Sequence, residues 1–197
     1  MDEQQYLAQT RQYFDDLAPS WDNTCRHDES KLHLIIGLAS PATDSRLLDI
    51  GCGTGVMIAP LLATEPRELV AVDLAPRMIE IAAQKYRDPR LRLIGGDFFA
   101  LEESGFDLTL LYSVYPHFPH KRQLALKTAQ CLKEGGRFLV AHSESRAIIN
   151  SRHQGSAAQL SQPLQEAKEE AAAWQEYFHI DMLIDTERLY VISGLRK

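Results

Sequence analysis

Residues 47–55, LLDIGCGTG, constrain the fold more than any other part of the chain. An unbroken apolar run closed by an acid, then by glycines at alternate positions, reads as a buried strand that breaks sharply into a turn. Glycine at 51, 53 and 55 lets the backbone take positive φ and pass close to a ligand at the carboxyl end of that strand. About twenty residues past these glycines, a second apolar run at 69–73, LVAVD, ends in Asp73, placed to accept hydrogen bonds from both hydroxyls of a ribose. The two segments together describe a pocket for an adenosine at the edge of a sheet.

The rest of the chain continues the alternation. The pattern predicts strands at 46–50, 69–73, 91–94, 106–112 and 137–142. A helix-length segment follows the first strand, Pro76 opens a helix running to about Arg87, and another helix spans 121–132. Strands alternating with helices imply an α/β fold with a mostly parallel sheet covered on both faces. Ahead of the sheet, Tyr6, Leu7, Thr10, Tyr13, Phe14 and Leu17 recur at helical spacing and predict an amphipathic helix over 3–17. A polar break at 20–30 leads into a second helix at 31–39, which stops before Pro41. Residues 143–175 are rich in Ser, Gln, Ala and Glu, with a predicted helix around 164–174. Two β-like runs at 178–184 and 189–195 then predict a hairpin.

Composition narrows the class. A chain of 197 residues without an internal repeat or a long linker fits a single domain over 1–197, with 45% hydrophobic residues to fill its core. Residues 1–40 then form a helical cap on the sheet domain. The net charge of -6 supplies no general attraction to a phosphate backbone, so a small-molecule partner is expected and nucleic acid is not. The start, MDEQQYLAQT, lacks the basic-then-apolar order of an export signal, and the apolar stretch at 32–39 falls short of the ~18 residues of a membrane span. No membrane association is expected, and a cytoplasmic location is. Cys25, Cys52 and Cys131 are odd in number and show no CxxC spacing, which suits free thiols and no disulfide frame. His117 and His120 stand three apart with no third ligand nearby, so no metal site is expected.

Two ligand classes use a glycine loop of this kind. A dinucleotide fingerprint has a third glycine at its sixth position; this chain has Val56 there, which disfavours a nicotinamide-dependent dehydrogenase. The segment LLDIGCGTG resembles motif I of class I S-adenosylmethionine-dependent methyltransferases. Further likenesses follow in order: VAVDLAPRMI at 70–79, Gly96-Asp97-Phe98, FDLTLLY at 106–112 and LKEGGRFLV at 132–140. YFDDLAPSWD at 13–22 is similar to the FDxxAxxWD segment that often caps the cofactor in small-molecule members.

The resemblance implies a Rossmann-like, doubly wound, seven-stranded sheet with an antiparallel C-terminal hairpin, and S-adenosylmethionine as cofactor. It implies that Gly51, Gly53 and Gly55 line the methionine part while Asp49 helps hold the ammonium, and that Asp73 binds the ribose. Asp97 would meet the adenine amino group, with the Phe98 N–H at a ring nitrogen and Leu74 and Met78 packed on the ring. Trp21, Tyr13 and Phe14 would shield the site. The plainer alternatives are a helix cap for Asp73, a loop acid for Asp97 and core packing for the three aromatics.

Methyl transfer from a sulfonium is an in-line displacement that needs nucleophile and methyl held at ~3 to 3.5 Å, water excluded, and a proton removed where the nucleophile carries one. Candidate bases therefore lie beyond the fourth and fifth strands: Tyr112, Tyr115, His117, His142, and His153 in the variable segment. His117, His142 and Tyr112 are the foremost, although a histidine in a first helical turn also serves as a cap or packing residue. The Asn/Asp-Pro-Pro-aromatic motif of exocyclic-amine methylation and the Pro-Cys nucleophile of cytosine methylation are both missing. The basic cluster Lys85, Arg87, Arg90 and Arg92 reads as a solvated face. A small-molecule acceptor is expected, with residues 143–175 on its side of the site; a non-catalytic binding protein of the same fold remains an alternative.

Overall fold

The computed structural model describes residues 2–152 and 155–197. Seven strands form one sheet: β1 Arg46–Ile50, β2 Glu68–Asp73, β3 Leu91–Gly95, β4 Phe106–Tyr112, β5 Leu132–His142, β6 Phe178–Asp185 and β7 Tyr190–Arg196. Their order is β3-β2-β1-β4-β5-β7-β6. The first five strands pair in parallel, and the β6–β7 hairpin closes antiparallel onto β5. This is the expected doubly wound sheet with its antiparallel end. The order reverses between β1 and β4, and ligands in such sheets bind outside the carboxyl ends at that switch point.

Eight helices surround the sheet among the described residues: α1 Glu3–Leu17, α2 Trp21–Thr24, α3 Glu29–Ala39, α4 Ile58–Leu62, α5 Pro76–Lys85, α6 Lys121–Cys131, α7 Arg146–Arg152 and α8 Ala167–Ala171. The continuous apolar strands bury side chains on both faces, as parallel strands must. Leu48, Ile50, Val70, Val72 and Val140 meet Leu124 and Ala125 of α6 on one face. Leu47, Leu69, Ala71, Leu110 and Leu139 meet α3 and α4 through Leu32, Ile35, Ile58 and Leu61 on the other. Among the described residues no helix is long and apolar enough to cross a membrane.

Three expectations are revised by local chemistry. The polar break at 20–30 contains α2, and α3 starts early because the Asp28 side chain caps it by accepting from Ser30 N–H. β5 begins at Leu132 rather than Arg137, running through Gly135, whose φ of +73° needs a glycine. The helix expected around 164–174 shrinks to α8. Leu164 is instead held by Asn150, which donates to its carbonyl and accepts from its N–H, and Trp174 stacks on Phe138 with ring centroids 4.0 Å apart. The sequence also concealed α7 and a 3-10 turn at Gly155–Leu160.

Candidate active site

The glycine loop leaves β1 with three positive φ angles, +70° at Gly51, +55° at Gly53 and +95° at Gly55. Gly51 and Cys52 N–H both donate to the Val72 carbonyl, which pins the loop across the end of β2. Asp73 finishes the arrangement: one carboxyl oxygen accepts from Gly53 N–H at 2.8 Å and the other from Ala75 N–H at 2.9 Å. Burial pushes the Asp73 carboxyl up to about 6, against those two hydrogen bonds. Asp97 caps the turn after β3 by accepting from Phe99 N–H.

These elements enclose a cavity of about 310 Å³. Gly51, Gly53, Asp73, Leu74, Met78, Asp97 and Phe98 form its sheet side; Tyr6, Phe14 and Trp21 of the N-terminal helices and Val114 and His117 beyond β4 form its roof and far wall. The structure thus brings eight of the ten expected cofactor-binding residues to one cavity, Trp21 included. A Cβ on Gly53 would meet Trp21 Nε1 at an ordinary contact distance of 3.8 Å and would clash with nothing. Tyr13 is not on this wall and packs edge-on against Phe14 instead.

Two expected residues stand apart. Gly55 faces away: a Cβ there would lie 2.6 Å from Ile58 Cδ1 and 2.7 Å from Tyr86 Cε2, so glycine is required by packing. Asp49 lies beneath the loop, 1% exposed, and its Oδ2 has no hydrogen-bond partner among the described residues. Burial, with Asp73 adding to it, pushes its carboxyl up to about 7.

The candidate bases separate as sharply. His117 is on the cavity wall, but its Nδ1 lies 2.8 Å from the Leu160 carbonyl, which can only accept, and its ring packs edge-on against Phe14 at 4.9 Å. Tyr112 is buried, with its hydroxyl 2.8 Å from both Ser143 Oγ and His27 Nδ1. Tyr115 is fully buried and donates to Glu170 Oε2 at 2.9 Å, a core contact. His142 is 1% exposed and packs edge-on against Tyr190, away from the cavity. His153 lies outside the described residues.

Residues 48–138, from β1 into β5, match the methyltransferase-domain family. Over those residues the chain is similar to a methyltransferase domain. It is 34% identical over 103 residues to the malonyl-[acyl-carrier protein] O-methyltransferase of Paenibacillus sp. (strain JDR-2), covering 48% of this chain and 37% of that protein. It is 31% identical over 107 residues to the ubiquinone biosynthesis O-methyltransferase of Xylella fastidiosa (strain 9a5c), covering 51% and 43%. The chain therefore spans less than half the length of these curated relatives. The solved structure of geranyl diphosphate C-methyltransferase from Streptomyces coelicolor A3(2), in complex with Mg2+, geranyl-S-thiolodiphosphate and S-adenosyl-L-homocysteine, shares the fold. Its TM-score is 0.77 at 11% identity, over 98% of each chain.

The cavity is roofed by contacts that the sequence hardly announces. Asp15 of α1 accepts from Arg77 N–H at 2.9 Å and so caps α5, whose own Ala75 offers no capping side chain. Asp22 accepts from Thr54 in the glycine loop and pairs with Lys85 at 2.8 Å. Tyr6 Oη lies 2.9 Å from the carbonyls of His117 and Leu160. Asp15 and Asp22 both belong to YFDDLAPSWD, so the motif marked the right segment while its acids went unread. The basic cluster is paired at three positions: Lys85 with Asp22, Arg90 with Asp88, and Arg92 with Glu68 and Glu103.

Proposed function

We propose that this domain holds S-adenosylmethionine in the 310 Å³ cavity and transfers its methyl group to an oxygen of a small-molecule acceptor. The observation that carries the reading is the convergence of Gly53, Asp73 and Asp97 on one cavity under the aromatic roof. The residues present fit the cofactor. Gly53 lines the cavity without a side chain to fill it, and each Asp73 oxygen keeps a second lone pair for a ribose hydroxyl beyond its backbone donor. An ammonium above the loop would draw the buried Asp49 carboxyl, raised to about 7, into its charged form and partner its unpaired oxygen. Gly51 and Gly53 line the methionine part, Asp97 and the Phe98 N–H serve the adenine edge, and Leu74 and Met78 pack on its ring. Gly55 shapes the loop from behind.

The bound cofactor supplies a methyl group already activated by its sulfonium. The chain's own part is to orient and dry that group: Phe14 and Trp21 exclude water, and Asp15, Asp22 and Tyr6 hold them in place. His117, tied to Leu160 and packed on Phe14, positions this roof. Residues 1–40 act as the cap of a single domain. Leu160 gives the 143–175 segment a direct connection to that cap, which supports its place beside the acceptor. Two relatives named as O-methyltransferases support an oxygen acceptor. The negative net charge and the paired basic cluster support a small molecule over nucleic acid.

The test is a screen of pooled small metabolites with methyl-labelled S-adenosylmethionine. Label should appear in a small, extractable product; label confined to macromolecules would refute the small-molecule reading, and no transfer at all would favour the binding-protein alternative.

A further inference from the structure

The glycine loop has a second side. Gly51 and Gly53 face the cofactor cavity, whereas Cys52 and Thr54 face a wider cleft of about 750 Å³ bounded by α3 and α4. Trp21 borders both spaces. His27 lines the cleft, and its Nδ1 is 2.8 Å from Tyr112 Oη, itself 2.8 Å from Ser143 Oγ. Tyr112 ends β4 and Ser143 follows β5, so this chain of hydrogen bonds runs along the carboxyl edge of the sheet and ends in an imidazole on the cap. Lys31 of α3 donates to the Ser143 carbonyl, which ties the serine to the helix that begins two residues after His27.

The Nδ1–Oη contact admits either tautomer, and the one a base needs fits this chain of hydrogen bonds. With Tyr112 O–H donating to Ser143, the phenol oxygen accepts from His27 Nδ1–H, and the imidazole lone pair lies on Nε2. Nε2 has no hydrogen-bond partner among the described residues. Burial holds His27 below its ordinary range; the charged groups that face it are Glu144 after β5, Arg152 of α7 and Asp22 of α2. It is neutral, hence basic, at pH 7. Burial holds the Tyr112 phenol above its ordinary range, so Tyr112 orients the imidazole and keeps its own proton. At the rim of the cleft, the exposed Arg26 has no ion-pair partner among the described residues.

We propose that this cleft receives the methyl acceptor, a small molecule bearing a hydroxyl and an anionic group, and that His27 takes the hydroxyl proton. The inference rests on the methyl-transfer reading above. The acceptor oxygen bonds to the methyl carbon as the carbon–sulfur bond breaks, its electron pair staying on sulfur. The hydroxyl proton moves to Nε2, giving an imidazolium whose Nδ1–H remains on the Tyr112 oxygen. Arg26 meets the anionic group, and Trp21, on the boundary, marks where donor and acceptor approach. His27 is thus the catalytic histidine, and His117 a positioning one.

The experiment uses the full chain with ring-labelled histidine, saturated with S-adenosylhomocysteine and titrated with 4-hydroxybenzoate as the probe while the imidazole NMR signals are followed. His27→Asn identifies the His27 signals and keeps an amide beside Tyr112. The expected result is a saturable shift at His27 with His117 unmoved, and at least fivefold weaker probe binding in H27N with unchanged affinity for S-adenosylhomocysteine. With an acceptor returned by the labelled-methyl screen, H27N should lower turnover at least a hundredfold and remove the acidic limb of its pH profile. A shift at His117 alone, no shift at either, or wild-type turnover in H27N overturns the proposal. Failure of S-adenosylhomocysteine itself to bind would overturn the methyl-transfer reading, and this inference with it.

Discussion

Gly51, Gly53 and Gly55 are alike in sequence and differ in what surrounds them, so alanine at each separates ligand space from packing space. All three take positive φ, where an L-residue costs about 1–2 kcal/mol. For Gly53→Ala that is the whole stability cost, because the new methyl meets only Trp21 Nε1 at 3.8 Å. For Gly51→Ala the methyl would lie 2.3 Å from Val114 Cγ2 and 2.8 Å from Val114 Cβ, which adds an overpacking cost of about 1–3 kcal/mol. The sum, roughly 2–5 kcal/mol, corresponds to a fall in Tm of roughly 4–20 °C for a chain of this size. Gly55→Ala should fall in the same range through Ile58 and Tyr86. Urea unfolding gives the stabilities, and calorimetry with S-adenosylhomocysteine gives the affinities. Gly53→Ala should stay folded and bind weakly, while Val114→Ala should restore the steric part of the Gly51→Ala loss. The reasoning fails if Gly53→Ala binds as wild type does, or if Gly55→Ala keeps its stability and loses only its affinity.

Further outcomes follow from the acids. Asp73→Asn removes a charged acceptor from the ribose hydroxyls and should weaken S-adenosylhomocysteine by about 1.5–3 kcal/mol in calorimetry, with a loss under threefold counting against the assignment. Asp49 and Asp73, raised to about 7 and about 6, hold protons in the folded state that the unfolded chain has released above about pH 4. Their contribution is therefore greatest below about pH 4 and is lost as pH rises through 6 to 7. Asp49→Asn should accordingly stabilise the protein more at pH 8 than at pH 5 in urea titrations; an equal effect at both would refute the raised carboxyl. Asp22→Ala cuts the contacts to Thr54 and Lys85 and should shorten cofactor residence several-fold in stopped flow, whereas an unchanged off-rate would remove the roof from the account.

The sheet was legible because its signals are local: buried runs such as LLDI and LVAVD, each ended by a residue that the turn demands. Asp73 and Gly53 were legible for the same reason, since a positive φ and an acid at a strand end are properties of a few consecutive residues. Partners distant in the chain could not be read in this way. Gly55 looked like its two neighbours until Tyr86, thirty-one residues on, proved to occupy its Cβ direction. Tyr115 looked like an active-site phenol, but Glu170 and Trp174 hold it in the core. His27 carried no motif at all; its position follows from Tyr112 and Ser143, which come together only when β4 pairs with β5. The 164–174 helix failed for a related reason, because Asn150 satisfies the backbone of Leu164 outside any helix.

Recognition of the adenosyl sulfur cofactor by this cavity is proposed to run through Asp73 and the glycine loop. Calorimetry of the wild-type chain against S-adenosylmethionine, S-adenosylhomocysteine and NAD tests it most directly. Saturable one-to-one binding of both sulfur ligands and none of NAD is expected; binding of NAD without either sulfur ligand would overturn the proposal.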